Sequence, residues 1–368
     1  MSLCQENPDY LSRQLITCIG NKRSLLTLIG EALEKASRKL GRKKLRLLDM
    51  FSGSGVVSRF FKRHAQLLLA NDIETYSQTI GRCYLANLSE LPIGRLREIH
   101  AMLERRLREE PLRRGFIAEL YAPAEEGNIR AGERVFYTSR NARFIDTARQ
   151  YIEEIEPELQ PFFIAPLLAE ASVHANTAGV FKGFYKDKNG VGCYGGSGAD
   201  ALFRIMGEIT LPFPLWSNFE CPVTVFQEDA NTLARRLPEL DAAYLDPPYN
   251  QHPYGSNYFM LNLICSYQKP GESSPVSGIP PNWNRSAYNK AVSARRALAE
   301  LCAAIPAKFL LVSFNSEGFI KKEEMEAMLG RLGKVTTLEK TYNTFRGSRN
   351  LGNRNIHVRE YLYLVEKK

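Results

Sequence analysis

No apolar stretch of this chain approaches the roughly 20 residues that a membrane-crossing helix needs. The N-terminal MSLCQENPDYLSRQ has no basic flank followed by an apolar run. Neither a membrane span nor a secretory signal is therefore expected, and a cytoplasmic setting is. The seven cysteines, at positions 4, 18, 83, 193, 221, 265 and 302, form no CxxC pair, and the five histidines do not cluster near them. Zinc-site spacing and a disulfide framework are both missing. The expectation is no metal, with reduced thiols packed as small apolar residues. There is no internal repeat and no low-complexity linker, which argues against a solenoid or a tethered array.

What is present suits a folded protein. Hydrophobic residues make up 44% and charged residues 24% of 368, enough for a full core in one large domain or two ordinary ones. The formal net charge is +9. A basic balance suits a polyanionic partner such as nucleic acid, although charge alone does not identify one.

Leu15 to Leu40 reads as a loop followed by an amphipathic helix. LRLLDMF, Leu45 to Phe51, is a short apolar run fit for a buried strand. It ends in SGSG, then VVSRFFKRH reads as a helix and LLLAND, Leu67 to Asp72, as a second strand. Strand, glycine turn, helix, strand is the signature of a parallel doubly wound sheet. Residues 73 to about 110 look helical, and their charged run ERRLREE suits a solvated helix face. From 111 to 220 the strand pattern stops, with helical periodicity at Thr138 to Glu156 and Leu159 to Asn176. Strands resume with PVTVFQED, AAYLDPPY and KFLLVSF. KVTTLEKTY and IHVREYLYLV then flank a polar, arginine-rich loop. These patterns predict an α/β fold, a doubly wound and mostly parallel sheet. Residues 1–90 and 220–368 would form the catalytic domain, and 91–219 a helical insertion.

The sharpest chemical signal is DPPY, Asp246 to Tyr249, at the end of an apolar strand. Open α/β sheets place ligands at that edge. The tetrapeptide fits one demanding reaction, methylation of the exocyclic N6 of adenine. That nitrogen's lone pair is delocalised into the ring. A carboxylate and a backbone carbonyl accepting its two hydrogens would draw the lone pair out of conjugation. Asp246 supplies the carboxylate and Pro247 a rigid carbonyl, because proline fixes its own φ and restricts the residue before it. Tyr249 offers an aromatic face to the base, a contact worth about 1–3 kcal/mol. Asp246, Pro247, Pro248 and Tyr249 are thus the candidate catalytic residues. The same tetrapeptide also suits a simple turn.

DMFSGSG, Asp49 to Gly55, is the second signal. Gly53 and Gly55 let the backbone turn tightly and approach a ligand. This is not a dinucleotide GxGxxG, because Ser58 stands where the third glycine would be. The following helix start favours an anionic group, here the methionine carboxylate of S-adenosylmethionine. The third signal is Asp72, at the end of the second strand, where an acid can bind the ribose hydroxyls of an adenosine cofactor. Glu74 competes for that role, and Asp72 also suits a helix cap.

These features, in this order, resemble the DNA adenine methylase (Dam-like) family. IGNKRSLL, Ile19 to Leu26, is similar to that family's N-terminal cofactor motif IGxKxxLL. NTAGVFKGFYK, Asn176 to Lys186, is similar to its pre-catalytic stretch, and NQHPYGSNYFMLN to its aromatic loop. The resemblance implies a Rossmann-like methyltransferase fold, S-adenosylmethionine as cofactor and duplex DNA as partner. It implies a cofactor site of Lys22, Asp49, Phe51, Gly53, Gly55, Asp72 and Asp229, the last hydrogen-bonding the cofactor adenine. It makes the insertion the target-recognition region. Two departures stand out: FSGSG replaces the commoner FxGGG, and PGESSPVSGIPPNWNR, Pro270 to Arg285, lengthens the loop after DPPY.

Basic residues mixed with aromatics mark the candidate DNA contacts. They are Lys182, Lys186 and Lys188, beside Phe181, Phe184 and Tyr185, and Arg346, Arg349 and Arg354 in the late loop. Phosphate contact combined with base stacking needs that mixture. The expected activity is adenine methylation in a restriction-modification system or as an orphan methylase. The alternatives are an RNA N6-adenine methyltransferase, disfavoured by the large insertion, and a non-catalytic DNA-binding module, disfavoured by the intact Asp246. The oligomeric state stays open, with a monomer favoured.

Overall fold

The protein is described by a computed structural model at residues 5–17, 20, 22–196, 201–343 and 357–368. Among these residues seven strands form one sheet: β1 (Leu45–Asp49), β2 (Ala65–Asn71), β3 (Val223–Phe226), β4 (Leu240–Leu245), β5 (Ala307–Asn315), β6 (Gly333–Asn343) and β7 (His357–Lys367). Their order across the sheet is β3-β2-β1-β4-β5-β7-β6. The first five in that order are mutually parallel. β7 runs antiparallel to both of its neighbours.

The apolar runs read as strands because the central strands bury both faces, so no polar alternation shows. Ala242 and Tyr244 of β4 join Leu47, Leu68, Leu311 and Leu364 beneath the helices Leu26–Leu40 and Val56–Lys62. Ala243 and Leu245 join Leu48, Leu310, Val312 and Val365 beneath Ala230–Ala234, Ala291–Ala304 and Lys322–Gly330. This is the doubly wound sheet that the sequence predicts. The order in which strands are added reverses between the parallel neighbours β1 and β4, and the crevice for a ligand opens outside their carboxyl ends. The turn from β1 into Val56–Lys62 depends on Gly55, whose φ is +74°. A Cβ there would also sit 3.3 Å from the Ile80 side chain.

Residues 91–219 contribute helices, chiefly Ile93–Glu109, Ser139–Glu153 and Pro161–Val173, and no strand to the sheet among the described residues. Their apolar sides share one core with Thr75–Tyr84 and Phe259–Ser266, where Leu103, Ile145 and Phe163 meet Tyr76, Ile80 and Ile264. Asp146 ties this region together. It accepts the backbone N–H groups of Gly115, Ile117 and Ala118 and the Tyr267 hydroxyl.

The charged run 104–110 lies on a solvated helix face as expected, with Glu104, Arg105, Arg108, Glu109 and Glu110 exposed, while the opposite side of the helix is apolar. Leu103 and Leu107 are buried, and the Arg106 guanidinium lies 3.6 Å from the centre of the Tyr151 ring. Arg106 also bonds Glu110 and Glu154. Arg106 lays its side chain on the Tyr151 ring of the neighbouring helix while its charge pairs at the rim.

Candidate active site

The carboxyl ends of β1, β2 and β4 frame a single cleft. The glycine turn after β1 is clasped by Asp72, whose Oδ2 accepts the Gly53 N–H at 2.8 Å while Oδ1 accepts the Glu74 N–H at 3.0 Å. Asn71, buried at the end of β2, donates to the Met50 and Glu228 carbonyls. These bonds lock three strand-end loops in one arrangement. The DPPY turn is fixed separately. The Phe319 N–H donates to the Tyr249 carbonyl at 3.0 Å, and the Asn289 amide to the Asn250 carbonyl at 2.8 Å. The Tyr249 ring stands edge-on to Phe314, with centroids 6.1 Å apart.

Asp246 does not stand alone at the end of β4. The Lys22 ammonium, delivered by a short helical turn (Lys22–Leu25), lies 3.1 Å from Asp246 Oδ1 and 3.3 Å from Glu360 Oε1. Lys22 is 6% exposed and Glu360 2%. Burial works against the lysine's charge, but the two carboxylates outweigh it and hold its pKa well above the ordinary value. Burial pushes Asp246 up to about 6, against the downward pull of Lys22. At neutral pH this carboxyl is mostly ionised and able to accept hydrogen bonds.

The rest of the cleft is acidic. Burial lifts the Asp49 carboxyl to about 7, opposed by a 2.5 Å hydrogen bond from the Ser58 hydroxyl to Oδ2. Its other oxygen is buried with no hydrogen-bond partner among the described residues. Burial and the neighbouring Asp72 lift Glu74 to about 7, although the Asn262 and Asn284 amides donate to it. Asp72 is also raised, by burial, against the backbone N–H groups it accepts. A molecule with net charge +9 thus carries a carboxylate-lined cleft suited to a cationic ligand.

Lys22, Asp49, Phe51, Gly53, Asp72, Asp229, Asp246 and Pro248 all line this cleft, and Gly55 forms the turn beneath it. Pro247 is buried, and neither it nor the half-buried Tyr249 is among the residues that line the cleft. Asp229 is exposed at its rim, and its Oδ1 caps Ala230–Ala234 by accepting the Thr232 N–H at 2.9 Å. Lys182 and Lys188 are exposed outside the cleft, and the Lys186 ammonium lies 5.0 Å from the Phe184 ring centre. The Phe181 N–H donates to the Asn257 carbonyl and ties that basic stretch to the loop after DPPY. Arg346, Arg349 and Arg354 lie outside the described residues.

Sequence reasoning missed a second layer of the site. The lengthened loop turns back over the cleft. Asn284 donates to the Ile73 carbonyl and to Glu74, and Tyr288 stands edge-on to Phe51 at 5.3 Å while its hydroxyl donates to Asn231. Gly255 allows that closure, since a Cβ there would come 2.5 Å from the Asn284 carbonyl oxygen. The cluster PPNWNR carries no signal for this, because its partners are more than 200 positions away.

Among the described residues no group of three or more His, Cys, Asp or Glu is placed to hold a metal ion, and no helix is long and apolar enough to cross a membrane. Residues 19–328 match the family of D12 class N6 adenine-specific DNA methyltransferases. The chain is similar to the type II methyltransferase M.NlaIII of Neisseria lactamica, 30% identical over 87% of this chain and 90% of that one. It is similar to the type II methyltransferase M.CviAII of Paramecium bursaria Chlorella virus 1, 27% identical over 94% and 98%. It also matches the type II methyltransferase M.FokI of Planomicrobium okeanokoites, 26% identical over 95% of this chain and 52% of that longer protein.

Proposed function

The chain belongs to the D12 class N6 adenine-specific DNA methyltransferases, and from that premise we propose that it modifies one short duplex site, as the methylase of a type II restriction-modification system, with S-adenosylmethionine as methyl donor. The observation that carries this reading is the single cleft in which Asp246 meets the glycine turn and the acids of β1 and β2.

The residues present fit that donor. Its methionine part is cationic at the sulfonium and ammonium, and the cleft offers the unpartnered, buried oxygen of Asp49 among further carboxylates. Asp49, Phe51 and Gly53 would hold the methionine end, Asp72 and Glu74 the ribose, and Asp229 the adenine. When bound, the cofactor supplies an electrophilic methyl group and leaves as a neutral thioether.

The protein's own contribution is positioning. The target adenine, flipped from the duplex at a cost of a few kcal/mol, stacks on Tyr249. Asp246 and the Pro247 carbonyl accept the two N6 hydrogens, which frees the nitrogen lone pair for attack. The nitrogen gains one bond and then sheds one proton through Asp246 to water. Such orientation is worth about 7–11 kcal/mol of barrier. Residues 91–219 serve as the target-recognition region, with Lys182, Lys186 and Lys188 on the phosphates.

The test supplies the purified protein and radiolabelled S-adenosylmethionine with unmethylated genomic DNA or with total RNA. Label entering DNA alone is the expected result, and Asp246→Ala should lower the rate at least about 100-fold, the scale of losing one preorganised polar contact. Label entering RNA instead would overturn the assignment.

A further inference from the structure

We propose that Glu360 is a positioning residue for methyl transfer, acting through Lys22 to set the orientation and acceptor strength of the Asp246 carboxylate. The inference rests on the catalytic reading of Asp246 given above and adds a residue from the opposite end of the chain.

The geometry is one ammonium shared by two carboxylates. The Lys22 ammonium stands between Asp246 Oδ1, at 3.1 Å, and Glu360 Oε1, at 3.3 Å. Glu360 reaches this point because β7 is antiparallel. Its first residues, unlike those of the parallel strands, lie at the carboxyl edge of the sheet, with Glu360 paired to Asn315 at the end of β5. Its side chain is almost fully buried. A buried carboxylate is costly to keep, and a neutral residue would pack there at lower cost unless the charge were used.

The use follows from what Asp246 must do. It must be ionised to accept an N6 hydrogen, so a cation beside it helps. A cation paired with it alone would also bind its lone pairs and weaken it as an acceptor. A second carboxylate on the far side of the ammonium shares that cation. Sharing the ammonium leaves more of the negative charge on the carboxylate that faces the substrate. The ammonium's directed N–H bonds to both acids also fix the carboxylate's rotation. The Coulomb influence of Glu360 on Asp246 is upward and that of Lys22 downward. The other groups facing Asp246 are Tyr244 on its own strand, Tyr249 and Tyr254 in the following loop, and Asp49 on β1. The three tyrosines are held above their ordinary range and stay neutral. Asp49 is pushed up to about 7, chiefly by burial and in part by Asp246 itself, so the comparison is repeated in an Asp49→Asn background.

The experiment measures single-turnover methyl transfer to unmethylated genomic DNA as a function of pH, with saturating cofactor. Glu360→Gln should move the acid limb of the rate to lower pH by about one pH unit, the scale of removing one nearby like charge. Lys22→Gln should move it upward, and both should lower the plateau, while the cofactor affinity of Glu360→Gln changes less than about twofold. Glu360→Asp keeps the charge but not the reach, so its limb should stay with the wild type while its plateau falls. A folded Glu360→Gln with the wild-type limb overturns the proposal, whatever its rate. If that variant does not fold, a Lys22→Gln limb that fails to rise does the same. A wild-type protein that labels no DNA would refute the methyltransferase reading itself, an outcome distinct from both.

Discussion

At the scale of single residues the site is a contest between burial and charge. Asp49, Asp72, Glu74 and Asp246 are all pushed upward because they leave water without full compensation. A cationic ligand reverses that balance. Asp49 therefore makes a specific prediction. Below about 7 its carboxyl is protonated and neutral, and above it is ionised. S-adenosylmethionine affinity should rise as pH increases through 7, with proton release on binding, and calorimetry in buffers of different ionisation enthalpy measures both. Asp49→Asn should reduce the dependence, leaving the part that Glu74, also raised to about 7, contributes. Affinity that stays level between pH 6 and 8 in the wild type would remove Asp49 from the cofactor site. The residues that sequence made legible are those packed into short motifs. Asp246, Gly53, Gly55 and Asp72 announce themselves through their neighbours. Glu360 does not. It lies 338 positions from Lys22, and in HVREYLYLV it reads as one more charged residue at the ragged start of a strand. Two parallel strands, a crossover and a final antiparallel strand must all form before the pair exists.

At the scale of elements, local pattern succeeds where one rule dominates and fails where contacts compete. The central parallel strands are legible because burial on both faces leaves them mostly apolar, whereas the edge strand β3 has no fully buried residue and is legible from its β-branched run. The helix Ile93–Glu109 is legible as a helix but not as an interface, since Arg106 pairs and stacks only once Ser139–Glu153 lies beside it. The loop 270–290 reads as an irregular insertion, yet it supplies one wall of the cleft. Asn284→Ala removes two hydrogen bonds, one of them to the Glu74 carboxylate. A bond to a charged group is worth about 1.5–3 kcal/mol, so cofactor Kd should rise about tenfold or more. The rate at saturating cofactor should hardly change, because Asn284 makes no contact with the DPPY turn. A fall in kcat with unchanged Kd would assign the loop to the target base instead.

At the scale of the whole molecule, charge is segregated. The cleft gathers carboxylates while the chain carries a net +9, so the surface outside the cleft must be basic in excess. DNA affinity should fall steeply with salt, by about 0.9 decade per decade of salt for each phosphate neutralised. Cofactor affinity should change far less, since buried charges are weakly screened. Fluorescence anisotropy on a duplex across that range compares the two, and salt-independent DNA binding would contradict the phosphate role of the basic stretch. Residues 91–219 stand out in the sequence as the stretch where strand patterning stops. Their shared core does not, because Tyr76 and Ile264 complete it from outside that stretch.

The most direct test of the central claim is a base-resolved map of N6-methyladenine in a host that lacks adenine methylation and expresses this protein. Methylation at one short motif, absent when Asp246→Ala is expressed at the same level, is the predicted result. Unmodified adenine throughout the genome, with the wild-type protein folded and binding S-adenosylmethionine, would contradict it.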